Sequence, residues 1–336
     1  MPLPLIPILL GGAAVAVAGY GVKKGIDAYN DSEEAEKYHE EAKERYERSQ
    51  KKLESKYSRC ADALETLGGI KRDVLLTSAK RYADLCNRLS IDINGDSPQM
   101  QAEFGRLQRV QAGLTELNIA IGALSGAASG ALAGFGAYGA AGLLGTASTG
   151  AAISSLGGAA ATNAILAWFG GGSLAAGGLG IAGGMWVLGG IVAAPVIAIS
   201  SIIWAANAEK NKYNAQSYLD SVKSLAATMD SLALSYEHVQ TKAIEKGTEI
   251  NRLDGAWNEK MDSIGAAIRQ SGVQVSRWSE HEHATLLAMV QLAETVQNLI
   301  EAPLLGENDP LAKKIIELNK KCTSLTDKIQ EEWGDS

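Results

Sequence analysis

Between residues 27 and 89, apolar side chains recur every third or fourth position: Tyr38, Ala42, Tyr46, Leu53, Tyr57, Cys60, Leu64 and Leu67. The intervening positions are mostly Glu, Lys and Arg, many of them four apart. A repeat near 3.5 residues lines one side of a helix, so this stretch predicts a long amphipathic, coiled-coil-like helix with a charged outer face. Gly68-Gly69 interrupts the run, and Ile70, Val74, Tyr82, Leu85 and Leu89 resume it. Such a glycine pair reads as a hinge, as a tolerated kink or as a site of close helix packing. Asn94-Gly95-Asp96 predicts a turn, Ser97 a helix cap, and Pro98 the first residue of the next helix. That helix extends through Phe104, Leu107, Val110, Leu114 and Leu117.

The stripe returns at Tyr218, Val222, Leu225, Met229, Leu232, Tyr236 and Val239, then at Leu253, Trp257, Met261, Ile264 and Ile268. Ser271-Gly272 breaks it. Two further helices are predicted near 278–302 and 310–333. The second is opened by Asp309-Pro310 and carries a stripe from Leu311 through Ile315, Leu318, Cys322, Leu325 and Ile329 to Trp333.

A different pattern separates these halves. Residues 117–208 are 92 positions without Asp, Glu, Lys, Arg or His, and they hold 21 of the chain's 37 glycines. Gly122, Gly126, Gly130 and Gly134 fall at steps of four, and Gly139, Gly142 and Gly145 at steps of three. On a helix this ladder is one smooth face, the pattern by which helices approach closely in lipid. Trp186 and Trp204 stand 18 residues apart, roughly 27 Å along a helix, close to the thickness of a hydrocarbon core. Pro195 between them predicts a kink. Asn118 and Tyr138 bracket the first half at a similar distance. The stretch therefore predicts a transmembrane hairpin that self-associates through a glycine zipper. The competing reading is a hairpin wrapped inside the chain's own bundle.

Residues 2–22 are also uncharged and are followed by Lys23 and Lys24, which predicts an N-terminal anchor. The expected fold is all-α: an elongated helical bundle or coiled coil carrying a glycine-zipper transmembrane hairpin. Its expected divisions are an anchor at 1–26, charged helices at 27–116, the hairpin at 117–208 and amphipathic helices at 209–336.

Charge adds exclusions. Residues 1–116 carry 17 basic and 18 acidic groups, and residues 209–336 carry 14 and 20. Neither half has a basic field suited to nucleic acid. Three dispersed cysteines, Cys60, Cys86 and Cys322, predict buried thiols in a reducing compartment. Gly178 to Gly183 fits G-x-G-x-x-G, but neither the preceding strand nor the downstream acid of a dinucleotide site is present. His281 and His283 are two apart and point away from each other on a helix, whereas paired zinc ligands sit four apart. No catalytic, cofactor or metal residues are assigned, and the chain is read as a non-enzyme.

The run Ala159 to Gly178, containing Thr162-Asn163, Trp168-Phe169 and Gly170-Gly171-Gly172-Ser173, resembles an element of uncharacterised bacterial glycine-rich membrane proteins. In architecture the chain is similar to helical pore-formers of the colicin and apolipoprotein L kind. The resemblance implies membrane insertion and possible permeabilisation, while Arg106 and Arg109 before the uncharged stretch and Lys210 and Lys212 after it predict cytoplasmic flanks; the expected protein is a bacterial inner-membrane, pore-forming or membrane-perturbing toxin-like effector. Its expected partners are the lipid bilayer and further copies of itself. The alternative is a membrane-anchored coiled-coil scaffold that recruits a soluble protein partner.

Overall fold

The computed structural model of the chain describes residues 22–90, 98–122, 136, 212–305 and 309–333. These residues are almost entirely helical. No strand occurs among them, and the one sheet-like pairing they contain is an isolated bridge between Ser90 and Gln274. The all-α class predicted from the stripes is therefore correct. Helix α1 runs Val22–Val74, passes through a π-helical turn at Leu75–Ala79 and continues as α2, Lys80–Arg88. Helix α3 is Pro98–Gly122, with Pro98 at its first position as the sequence predicts. Helix α4 spans Lys212–Ser271. A 3-10 turn at Val275–Arg277 leads to α5, Glu280–Glu301, and α6 is Pro310–Trp333.

The chain divides into two compact units, each assembled from separated pieces. The first draws on residues 22–57 of α1, 212–235 of α4 and 314–333 of α6. Its core is the predicted stripe: Ala42, Tyr46, Leu53, Tyr218, Val222, Leu225 and Met229, closed by Ile315, Cys322 and Ile329, are all buried. The His39 ring stacks at a tilt on Tyr218, with centroids 5.3 Å apart, and burial lowers its pKa below the usual imidazole value. Lys52 pairs with Asp230 at 3.1 Å and Lys223 with Glu41 at 2.8 Å. These half-exposed pairs set the facing of α1 and α4 more than they stabilise it, since each contributes at most about 1 kcal/mol.

The second unit holds residues 58–74 of α1, the π turn, α2, α3, Gly136, residues 236–271 of α4, the 3-10 turn, α5 and the start of α6. Tyr82 and Trp257 are fully buried at its centre, with ring centroids 5.4 Å apart. The π turn admits one extra residue per turn, so Leu75, Ser78 and Ala79 all face inward. Its Leu75 carbonyl accepts a hydrogen bond from the Asn118 side-chain amide at 2.8 Å. Helix α3 packs on this turn, on α2 and on α5. Local signals close the ends. Ser279 and Glu282 form a capping box at α5, and the Leu311 amide donates to the Asp309 carboxylate at 2.8 Å, as the Asp309-Pro310 pair predicts.

The membrane reading is corrected at this level. Among the described residues, no helix is long and apolar enough to cross a membrane. The reason is the outer faces of the helices. Helix α3, read from sequence as leading into a hydrocarbon core, carries Glu103, Arg106, Arg109 and Glu116, and Arg106 is paired with Glu294 of α5. Each such charge costs several kcal/mol in lipid. The transmembrane, pore-forming and toxin expectations, and the bacterial inner-membrane location, are withdrawn on this finding. Asn118, read as bracketing a span, instead bonds the Leu75 carbonyl.

Of the glycine ladder, Gly122 is the last residue of α3. Gly126, Gly130, Gly134, Gly139, Gly142, Gly145, Trp186, Pro195 and Trp204 lie outside the described residues, as do the anchor residues 1–21, the predicted turn at 94–97 and the Ala159–Gly178 element.

Candidate functional site

Two features of the second unit depart from what a helical bundle needs for its own stability. They lie on opposite sides of α1 between residues 59 and 71.

On one side, Leu64, Gly68 and Lys71 follow one another at helical spacing. A Cβ on Gly136 would sit 2.0 Å from the Leu64 carbonyl oxygen and 3.0 Å from the Gly68 amide nitrogen. Both obstacles are backbone, which cannot yield, so only glycine fits at 136. Gly68 therefore belongs to a close-packing site, and α1 runs through the glycine pair unbroken.

Lys71, one turn on, has no exposed surface, and its Nζ donates to the Gly136 carbonyl at 3.2 Å. Burial, and secondarily repulsion from Lys246, pulls the Lys71 pKa down to about 6. Lys246, on α4, is itself pulled down to about 8 by burial. It donates to the Ala302 carbonyl at 2.6 Å and the Pro303 carbonyl at 3.3 Å, capping the C-terminal end of α5. An uncharged amine is a nucleophile in principle. With no exposed surface, however, Lys71 meets no substrate, and its chemistry is structural.

The other side of α1 opens onto a groove of about 420 Å³ shared with α4. Its floor is Ala63, Leu67 and Ile70 from α1 and Ala243 and Gly247 from α4, and Ile244 of α4 also lines it. Gly247 keeps it open: a Cβ there would lie 3.0 Å from Ile70 Cδ1 and 3.7 Å from Leu67 Cδ1. The rim residues Thr66 and Thr248 donate their hydroxyls to their own helices, at the Asp62 and Ile244 carbonyls, each at 2.8 Å. Their methyl groups are left for the groove. Ile244 is 54% exposed, the most exposed large apolar side chain among the described residues. Arg59, Asp62, Gln240 and Asn251 complete the rim. Sequence reading missed this site, although one signal was present: Ile244 stands off the apolar stripe, among Lys242, Glu245 and Lys246.

No cluster of His, Cys, Asp and Glu suited to a metal ion occurs among the described residues. Within His281-Glu282-His283, Glu282 accepts from the Ser279 amide at 2.7 Å and from the Ser271 hydroxyl at 2.7 Å, and His283 Nδ1 faces the Ser279 carbonyl at 2.9 Å. These hydrogen bonds, that from Ser271 first, hold the Glu282 carboxyl below its usual range. Cys60, Cys86 and Cys322 are free and buried, and burial pushes each thiol up to about 12, away from reactive thiolate.

No family model, no curated protein and no solved structure matches the chain, so the functional argument rests on its own geometry.

Proposed function

We propose that the chain is a helical interaction scaffold, and that its second unit receives a helical protein segment in the groove between α1 and α4. No reaction is assigned. The observation that carries the reading is Ile244, an aliphatic side chain left 54% exposed above a floor that Gly247 keeps clear. Two helices side by side offer the ridges and groove into which a third helix packs, with anchors spaced at three and four residues. Covering Ile244 and the rim methyls supplies on the order of 1–2 kcal/mol per anchoring side chain. The coiled-coil-like charge pattern of α1 and α4 suits this role, because it keeps the rest of each helix solvated while one face stays available.

The test is site-specific photocrosslinking in extract of the expressing cells. A probe at Thr248, on the rim, is expected to give discrete protein adducts that disappear in an Ile244→Asp background. A probe at Lys80, exposed on α2, serves as control. A Thr248 probe that labels no more than the Lys80 probe, or labelling indifferent to Ile244→Asp, would sink the reading.

A further inference from the structure

We infer that the contact of Gly136 with α1 is a pH-dependent clasp, which loosens when Lys71 takes up a proton and tightens when Lys71 gives it up. The clasp lies on the closed side of α1 and goes beyond the docking reading above, on which it does not depend.

Its parts are already in contact. The Gly136 backbone lies against the Leu64 carbonyl and the Gly68 amide, too close for any Cβ. One turn on, the Lys71 Nζ donates to the Gly136 carbonyl at 3.2 Å, and Lys71 has no exposed surface. An ammonium at this position reaches water only when its cover moves. Gly136 is part of that cover, so solvating Lys71 and releasing Gly136 are one event.

The surroundings oppose a charge at Nζ. The stretch that supplies Gly136, residues 117–208, holds no Asp or Glu and brings no counter-ion. Helix α4 brings Lys246, a like charge. On α1 itself, the neighbouring Arg72 and Asp73 pair with each other at 2.8 Å in partly exposed positions. At the C-terminal end of α5, where carbonyls favour a cation, Ala302 and Pro303 already accept from Lys246. Carbonyl acceptors suit an amine in either form, but they do not repay the desolvation of an ammonium beside a like charge.

The direction of the response follows. Closed, Lys71 holds a proton only below about pH 6; released, it holds one up to the ordinary lysine value of 10.5. Across that window the released state binds a proton that the closed state does not. Each pH unit downward therefore raises the opening constant about tenfold, and below about pH 6 the effect levels off.

The experiment is acylation of the full chain by an N-hydroxysuccinimide ester at pH 6.5, 7.5 and 8.5, read by mass spectrometry at Lys71 and at Lys80, which is exposed on α2. An exposed lysine reacts about tenfold faster per pH unit, because its neutral fraction grows by that factor. Lys71 is expected to react at a rate that does not change with pH, since easier opening in acid cancels the smaller neutral fraction. The ratio of Lys71 to Lys80 labelling thus falls about tenfold for each unit of rising pH. The Lys71 rate is expected to be indifferent to urea below the unfolding transition, as a local opening is. Gly136→Ala, which wedges the contact apart, is expected to raise the ratio and make it independent of pH, with circular dichroism checking helix content.

A ratio constant with pH in the parent chain means that Lys71 is solvated and overturns the inference. Labelling that appears only with urea unfolding overturns it too, because Lys71 then opens only with the whole chain. A folded Gly136→Ala chain that keeps the parent's pH dependence removes Gly136 from the clasp. Should that variant fail to fold, the pH and urea measurements on the parent chain still decide.

Discussion

The two sides of α1 between residues 59 and 71 invert the usual rule. The closed side buries a lysine completely, and the open side leaves an isoleucine of α4 more than half in water. Judged residue by residue, hydropathy would exchange them. What separates the two sides is how closely backbones meet. Where Gly136 touches α1, no space remains for a Cβ, water is excluded, and the Lys71 amine donates to the Gly136 carbonyl. Where α4 faces the outer side of α1, Gly247 removes a side chain instead of admitting a backbone, and the result is a vacant groove. Glycine thus closes one side of the helix and opens the other, and the difference lies in what stands opposite.

The sharpest way to break this comparison is Gly136→Ala. Its Cβ meets backbone at 2.0 Å, so the substitution is expected to cost about 3 kcal/mol or more in urea unfolding. A neutral outcome would show that the closed side is not closed.

Next in size is the pH dependence at Lys71. In the folded chain its pKa is down near 6, against 10.5 for an ordinary lysine. Between those two values the unfolded chain binds a proton that the folded chain does not. Stability from this residue therefore rises with pH from about 6 to 10.5 and is flat below about 6. Lys71→Met is expected to remove a slope of about 1.4 kcal/mol per pH unit across that window. It should also leave the protein more stable than the parent at pH 6, despite the lost hydrogen bond of about 1 kcal/mol. Lys246, whose folded pKa is near 8, contributes a second slope confined to the range above about 8. Urea unfolding midpoints at pH 6, 7.5 and 9 in both proteins measure the difference, and parallel curves would place Lys71 in a solvated environment.

The smallest effect is expected at Gly69, the neighbour of the packed Gly68. A Cβ there meets nothing within 4 Å, and the backbone is helical. Gly69→Ala is expected to stabilise by about 0.5–1 kcal/mol through helix propensity alone. A loss of stability would mean that the closed side extends further round α1 than the contact at Gly136.

Much of the core is legible in the sequence. Tyr46, Leu53, Cys60, Leu64, Leu67, Val222, Met229, Tyr236, Trp257 and Ile264 were all placed on buried stripes by spacing alone, and all are buried. The Pro98 and Asp309-Pro310 starts were equally visible, because capping is settled within a few residues. The π turn was not, since Leu75 to Ala79 holds nothing that marks an inserted residue, and the turn answers to Asn118 of a distant helix. The membrane expectation was drawn from the uncharged length of residues 117–208, and it is overturned because no helix among the described residues is long and apolar enough to cross a membrane.

The sequence by itself determined helical class, stripe and caps, because each of these is fixed by interactions spanning no more than one or two helical turns. Tertiary structure alone decided that Lys71 is buried, that Gly68 packs against a second backbone, and that a groove opens beside Ile244. Each of these depends on a partner far along the chain: Gly136 in the first two cases and α4 in the last. Whether a lysine is dry or an isoleucine wet is set by what arrives opposite it, and that information is not local.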